Sequence, residues 1–200
     1  MNNYPKFVEV NGKRYNINTD FRVAIECNRI AQDEEIKDFE RALAIIEVLY
    51  GDEAIDDGKN DPELYTKLLI LAQKYLACGK DLNNVDNNED PDMDYIEDYD
   101  YIVASFQSDY GINLDETELH WWKFFNLING LSNSEFGNCC VLNNIRNLRN
   151  YDESKIEDPK ERDKIRKAKE RVALKKNKKE MHLTKEQEES MEKLNQILGL

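Results

Sequence analysis

The chain has 200 residues, enough for one domain or one domain plus an appendage, and it buries enough surface to fold without a disulfide or a metal. Eight glycines and four prolines are too few for a loop-rich β-sandwich or for low-complexity disorder over most of the length. Forty-one acids against 28 bases give a net charge of −13, which disfavours a generic nucleic-acid binder, because phosphate contact needs a basic surface.

Residues 1–6 lack the apolar stretch of a signal peptide, and no apolar run is long enough to span a bilayer. Cys27, Cys78, Cys139 and Cys140 include no CxxC pair, and their use fits reduced thiols acting as small core residues. The expected setting is therefore a cytoplasm, with no membrane partner.

Asn11-Gly12 lies between two alternating segments, a two-residue hairpin signature whose register opposes Glu9 to Arg14 and Val8 to Tyr15. A lone hairpin is marginal, so it must rest on the helices that follow. Asn18-Thr19-Asp20 offers cap oxygens for a helix over about 20–32. Ile36, Phe39, Leu43, Ile46 and Leu49 predict a second helix, stopped by Gly51. Asp61-Pro62-Glu63 opens a third, with Leu64, Leu68, Leu71 and Tyr75 as its stripe and Gly79 at its end.

Residues 80–94 have no periodicity and many Asn and Asp, the composition of a flexible acidic linker. Tyr95, Tyr99, Ile102, Phe106 and Tyr110 then predict a helix with an aromatic face, closed by Gly111. Residues 119–128 are apolar almost all round, as in an enclosed helix, with His120 inside it as a structural residue. Ser132 to Glu135 reads as a capping box opening a helix through Phe136, Cys139, Cys140, Leu142, Ile145 and Leu148. Composition changes after Tyr151. Asp158-Pro159 starts a charged helix with a narrow stripe at Ile165, Ala168 and Val172, and a last capping box at Thr184 precedes Met191, Leu194 and Leu198.

The expected fold is mainly α: a multi-helix globular domain with an N-terminal β-hairpin over 1–151, and a basic helical tail plus a short amphipathic terminal helix over 152–200.

Charge is segregated. Residues 81–122 carry thirteen acids and no base, whereas 160–179 carry eleven bases against three acids. Two readings stand. Both segments can be solvated faces, or the tail can dock on an acidic segment of its own or a neighbouring chain. The candidate electrostatic contacts are Asp92, Asp94, Asp98, Arg166, Lys167 and Arg171.

No nucleophile, phosphate-loop or metalloprotease motif occurs, so no enzyme activity and no cofactor are expected. Asp90, Asp92 and Asp94 imitate the start of a calcium loop, but Tyr95 and Tyr101 stand where such a loop needs Gly and Glu. Tyr99, Phe106, Tyr110, Trp121, Trp122 and Phe125 are candidates for either core or partner contact. An acidic mimic of DNA that inhibits a host protein is a further reading of the acidic segment, weakened by the linker-like character of 80–94.

Asn18-Thr19-Asp20-Phe21-Arg22 after the hairpin, Tyr101 to Phe106 leading into Tyr110-Gly111-Ile112-Asn113-Leu114, and Leu119-His120-Trp121-Trp122-Lys123-Phe124 occur in that order. This ordered set resembles the gene-product-15 family of bacteriophage tail proteins, found in long-tailed phages and prophages of Gram-positive bacteria. The likeness runs over roughly 4–175, and the adjacent tryptophans are its most specific element. Asn113 stands where the pattern has an acid, in a turn that Asn serves equally well.

The resemblance implies a small, largely helical, often self-associating protein of the tail-assembly chaperone group. Such a protein would coat the long helical tape-measure protein and leave as the tail tube grows, in the cytoplasm of the infected or lysogenic host. A permanent tail or baseplate component is the alternative within the same resemblance. The family supplies no catalytic residues.

Overall fold

The computed structural model describes residues 4–80, 91–133 and 139–175. In chain order these form β1 (Phe7–Val10), β2 (Lys13–Asn16), α1 (Phe21–Gln32), α2 (Asp38–Tyr50), α3 (Asp52–Asn60), α4 (Pro62–Leu76), α5 (Tyr99–Tyr110), α6 (Trp121–Asn129), α7 (Val141–Asn150), a 3-10 turn at Glu153–Lys155, and α8 (Pro159–Val172). The fold is mainly helical with an N-terminal antiparallel hairpin.

The hairpin has the expected register, with Glu9 opposite Arg14 and Val8 opposite Tyr15. Asn11 and Gly12 both take positive φ (51° and 79°), which is what a two-residue turn between right-twisted strands demands. The hairpin rests on the helices. Lys13 Nζ lies 2.5 Å from Asp57 and 2.7 Å from Glu53 on α3, and the buried Tyr15 donates its hydroxyl to Asp57 at 2.8 Å. Lys13, and then Tyr15, hold the Asp57 carboxyl below its ordinary value, since both stabilise the ionised form.

Helix α3 has no counterpart among the sequence expectations, because Ala54 and Ile55 alone make too short an apolar pattern. Its packing is specific: a Cβ on Gly58 would sit 2.0 Å from the Tyr65 ring, whose hydroxyl donates to Ile55 O at 2.8 Å.

Several expectations are corrected. The second helix begins after Ile36, and Phe39 is 65% exposed; the buried side of α2 is Ile45, Ile46, Leu49 and Tyr50. Burial is thus confined to the C-terminal half, the part that packs on α1 and α4. Tyr95 precedes α5, since Asp94 Oδ1 accepts from the amides of Ile96 and Glu97 at 2.7 and 2.8 Å and holds a turn there. Helix α6 starts at Trp121 and is not enclosed all round: Lys123, Asn126 and Asn129 face water. The last helix of that domain starts at Val141, not near Ser132. Ser132 and Asn133 are non-helical, and the rest of the supposed capping box lies outside the described residues. So do 81–90 of the acidic linker and the Thr184 helix.

The chain divides into two compact units, Met1–Glu89 with Asp94–Asn144, and Asp90–Met93 with Ile145–Leu200. The division runs through α7, ahead of the composition change at Tyr151. The first unit is built around Phe21, Phe106, Trp121 and Phe124, all closed to water, with Leu49, Leu68, Ile102, Leu114 and Leu142. The second is held differently. Arg146 pairs with Asp92 at 3.1 Å, Arg149 donates to Asp92 O at 2.8 Å and to Val172 O at 2.7 Å, and Arg162 donates to Ile156 O. Pro91–Met93 is therefore not a free linker, because arginines hold its backbone and its carboxylate.

Candidate functional site

The three segments that carry the resemblance meet at one joint in the first unit. Phe21 N donates to Leu119 O (2.9 Å) and Trp121 N to Thr19 O (2.8 Å), an antiparallel bridge between Asp20 and His120. It sets the first turns of α1 and α6 side by side. Each bridging residue caps its own helix: Asp20 Oδ1 accepts from Arg22 N at 2.9 Å, and His120 Nδ1 accepts from Trp122 N at 3.0 Å. Because Nδ1 accepts, the ring proton belongs on Nε2, which lies 3.0 Å from Pro5 O and donates to it. Arg22 spans the joint, gripping Asp20 at 3.0 Å with one nitrogen and the carbonyl of Leu114 with the other. Thus Asp20 and Arg22 of the first segment, Leu114 of the second and His120 of the third lock one another.

The adjacent tryptophans extend this lock to α4. Trp121 Nε1 donates to Leu76 O and Trp122 Nε1 to Tyr75 O, each at 2.9 Å. Both acceptors belong to the last turn of α4, where carbonyls have no partner within their own helix. Below them lies an aromatic stack centred on Phe124, with ring centroids 4.6 Å from Phe21, 5.2 Å from Phe106 and 5.7 Å from Trp121.

The predicted aromatic residues therefore separate. Phe106 and Trp121 are core. Tyr99 and Tyr110 are half-buried, with hydroxyls committed to Asp115 (3.2 Å) and Leu127 O (2.9 Å), and burial raises both phenols. Trp122 and Phe125 remain at an open edge. Trp122 lies between Tyr75 (6.1 Å) and Tyr4 (6.3 Å), and Tyr4 also stacks on His120 at 4.9 Å. Gly79, at φ 72°, lets the chain pass this ring, since a Cβ there would come within 3.3 Å of it. Lys80 Nζ stands 4.6 Å from the Phe125 centroid, a cation–π contact at the rim. Tyr4, Trp122, Phe125 and Lys80 together form a half-exposed aromatic shelf. Cys78 lies next to it in sequence, its thiol pushed up to about 11 by burial.

The predicted charged residues are not gathered into one site. Asp94 and Asp98 are joined in the turn before α5, where Asp98 is buried and accepts from Asp94 N at 3.0 Å. Asp92 belongs to the second unit. Arg166 and Lys167 pair with Asp163 in their own helix at 2.5 and 2.8 Å, and Arg171 is exposed.

Sequence reasoning missed the cap role of His120 and the carbonyl-capping role of the indoles. His is an uncommon cap, and no local pattern tells where an indole N–H will point. A cleft of about 410 Å³ opens beside the bridge, lined by Asn18, Thr19, Asp20, Glu118, Leu119 and His120. Of its polar side chains, Asp20 and His120 are engaged in capping. Among the described residues, no group of His, Cys, Asp and Glu has the arrangement of a metal site, and no helix is long and apolar enough to cross a membrane.

Comparison with curated proteins and with solved structures finds no match. The family model described as bacteriophage Gp15 protein matches residues 1–174, a stretch that contains the whole joint from Tyr4 to Phe125. The chain belongs to the bacteriophage Gp15 protein family.

Proposed function

We propose that the chain is a tail-assembly chaperone that binds the tape-measure protein and keeps it in solution while the phage tail is built. The work is done by binding alone, with no bond made or broken, in the cytoplasm of the bacterial host. The observation that carries this reading is the aromatic shelf. Most of the aromatic cluster is closed around Phe124, yet Trp122 and Phe125 keep part of their rings at the surface beside Tyr4 and under the ammonium of Lys80. A half-exposed aromatic strip with a charged rim fits the apolar face of an amphipathic helix, and a tape-measure protein is a long series of such faces.

Phe125 is the informative position, because no hydrogen bond from its side chain holds the fold. The test is co-expression of the tape-measure protein with the wild-type chain and with Phe125→Ala, reading the soluble tape-measure fraction. We expect wild type to keep it soluble and the variant to lose most of that effect while retaining its own fold. A tape-measure protein equally soluble without this chain overturns the reading. Retention of the chain in purified virions would instead make it a permanent tail component.

A further inference from the structure

We infer that α8 presents a basic seam that docks on the acidic surface of a second copy of this chain, giving a head-to-tail contact. The inference stands on charge placement and does not depend on the chaperone reading.

Lys160, Lys164, Lys167 and Arg171 follow one another at i, i+4, i+7 and i+11, so they fall on one stripe of α8, about 16 Å long. All four are exposed. The other bases of the helix are occupied. Arg162 donates to Ile156 O, Lys169 donates to Tyr151 O at 2.7 Å, and Arg166 pairs with Asp163. Within the seam, Lys167 also pairs with Asp163, while Lys160, Lys164 and Arg171 have no partner among the described residues. Unneutralised charge of one sign along a helix face asks for a complementary surface.

The first unit supplies that surface. Asp100, Asp115, Glu116 and Glu118 are exposed, and the hydrogen bond from Tyr99 to Asp115 ties the start of α5 to the loop after it. Arg22, which touches that loop, is already held by Asp20 and a carbonyl. Phosphate is the weaker alternative as occupant, because the chain as a whole carries −13 and repels a polyanion. Since the seam and the acidic surface are different patches, the contact is heterologous. It propagates into rings or open chains and does not stop at a two-fold dimer.

The experiment is sedimentation velocity on the full chain at about 0.1 M and about 1 M salt, between which the screening length falls from about 10 Å to about 3 Å. We expect a mean mass that grows with concentration beyond a dimer at low salt and collapses to the monomer at high salt. The triple variant Lys160→Glu, Lys164→Glu, Arg171→Glu should be monomeric at both. So should Asp100→Lys, Glu116→Lys, Glu118→Lys. An equimolar mixture of the two variants should recover assembly, since each seam again meets an opposite charge. Circular dichroism checks that both variants fold. A monomeric wild type at low salt overturns the inference. So does failure of the folded variants to complement, or a 20-base-pair duplex that binds wild type and not the α8 variant.

Discussion

The two units are cohesive for different physical reasons. The first is closed by rings: Phe21, Phe106, Trp121 and Phe124 are stripped of water, and the polar groups beside them are spent on caps. The second has few apolar side chains to bury, chiefly Ile156 and Leu174, and relies on arginines reaching carbonyls and a carboxylate. Apolar burial is indifferent to salt and to mild acid, whereas exposed ion pairs are weakened by both. One chain thus contains a part whose cohesion is set by its core and a part whose cohesion the solution can adjust.

The sharpest way to break this contrast is to empty the centre of the ring stack. Phe124→Ala removes a side chain that meets four aromatic neighbours, Phe21, Tyr95, Phe106 and Trp121, and should cost about 3–5 kcal/mol. Urea unfolding at low and at high salt should give the same loss. A loss below about 1 kcal/mol would mean the stack is not the core of the first unit.

A smaller effect is expected in the second unit. Asp92→Ala leaves Arg146 and Asn150 without their carboxylate, and both members of the Arg146 pair are about a third exposed (32% and 29%). The cost should be about 1 kcal/mol. Amide exchange should accelerate in α8 and α7 while α1 and α4 keep their protection. Uniform acceleration across all helices would show that the two units do not open separately.

The smallest effect is acid sensitivity at Asp109. The backbone N–H of Ser132, followed by the hydroxyls of Ser132 and Ser108, holds this carboxyl below its ordinary value of 3.8. A depressed folded value means that the ionised form is favoured by folding. Its contribution is fully present above about pH 4 and is lost as the pH falls through the folded value. Asp109→Asn should flatten the acid limb of a melting-temperature profile and leave the neutral region little changed. An unaltered acid limb would remove Asp109 from this role.

The local chemistry of much of the chain was legible in its sequence. Asn11-Gly12, Asp20, Gly51, Pro62, Gly111 and Pro159 turn, cap or stop elements as expected, since each acts through its own φ or its own side chain within a few residues. Periodicity placed Leu64, Leu68 and Tyr75 of α4 correctly in the core, because one side of that helix is covered along its length, but Leu71 is only half-buried and the neighbouring Ala72 is buried instead. It erred at Phe39, because an apolar pattern records a face without recording how far a neighbour extends over it. Of the shelf, Trp122 and Phe125 were legible as aromatic candidates, whereas Tyr4 and Lys80 were not, because their places beside those rings come from contacts distant in sequence. Which aromatic candidates are closed depends on what packs against each ring.

The residue order by itself determined the hairpin, its register, the helix stops and the separation of acid from base, all properties of neighbours along the backbone. Tertiary structure alone decided that Asp20 and His120 bridge, that two indoles cap α4, and that Trp122 and Phe125 stay at an edge while Phe106 and Trp121 do not. Those outcomes depend on groups roughly fifty to a hundred positions apart being brought within a hydrogen bond's reach, and no local preference encodes such a meeting.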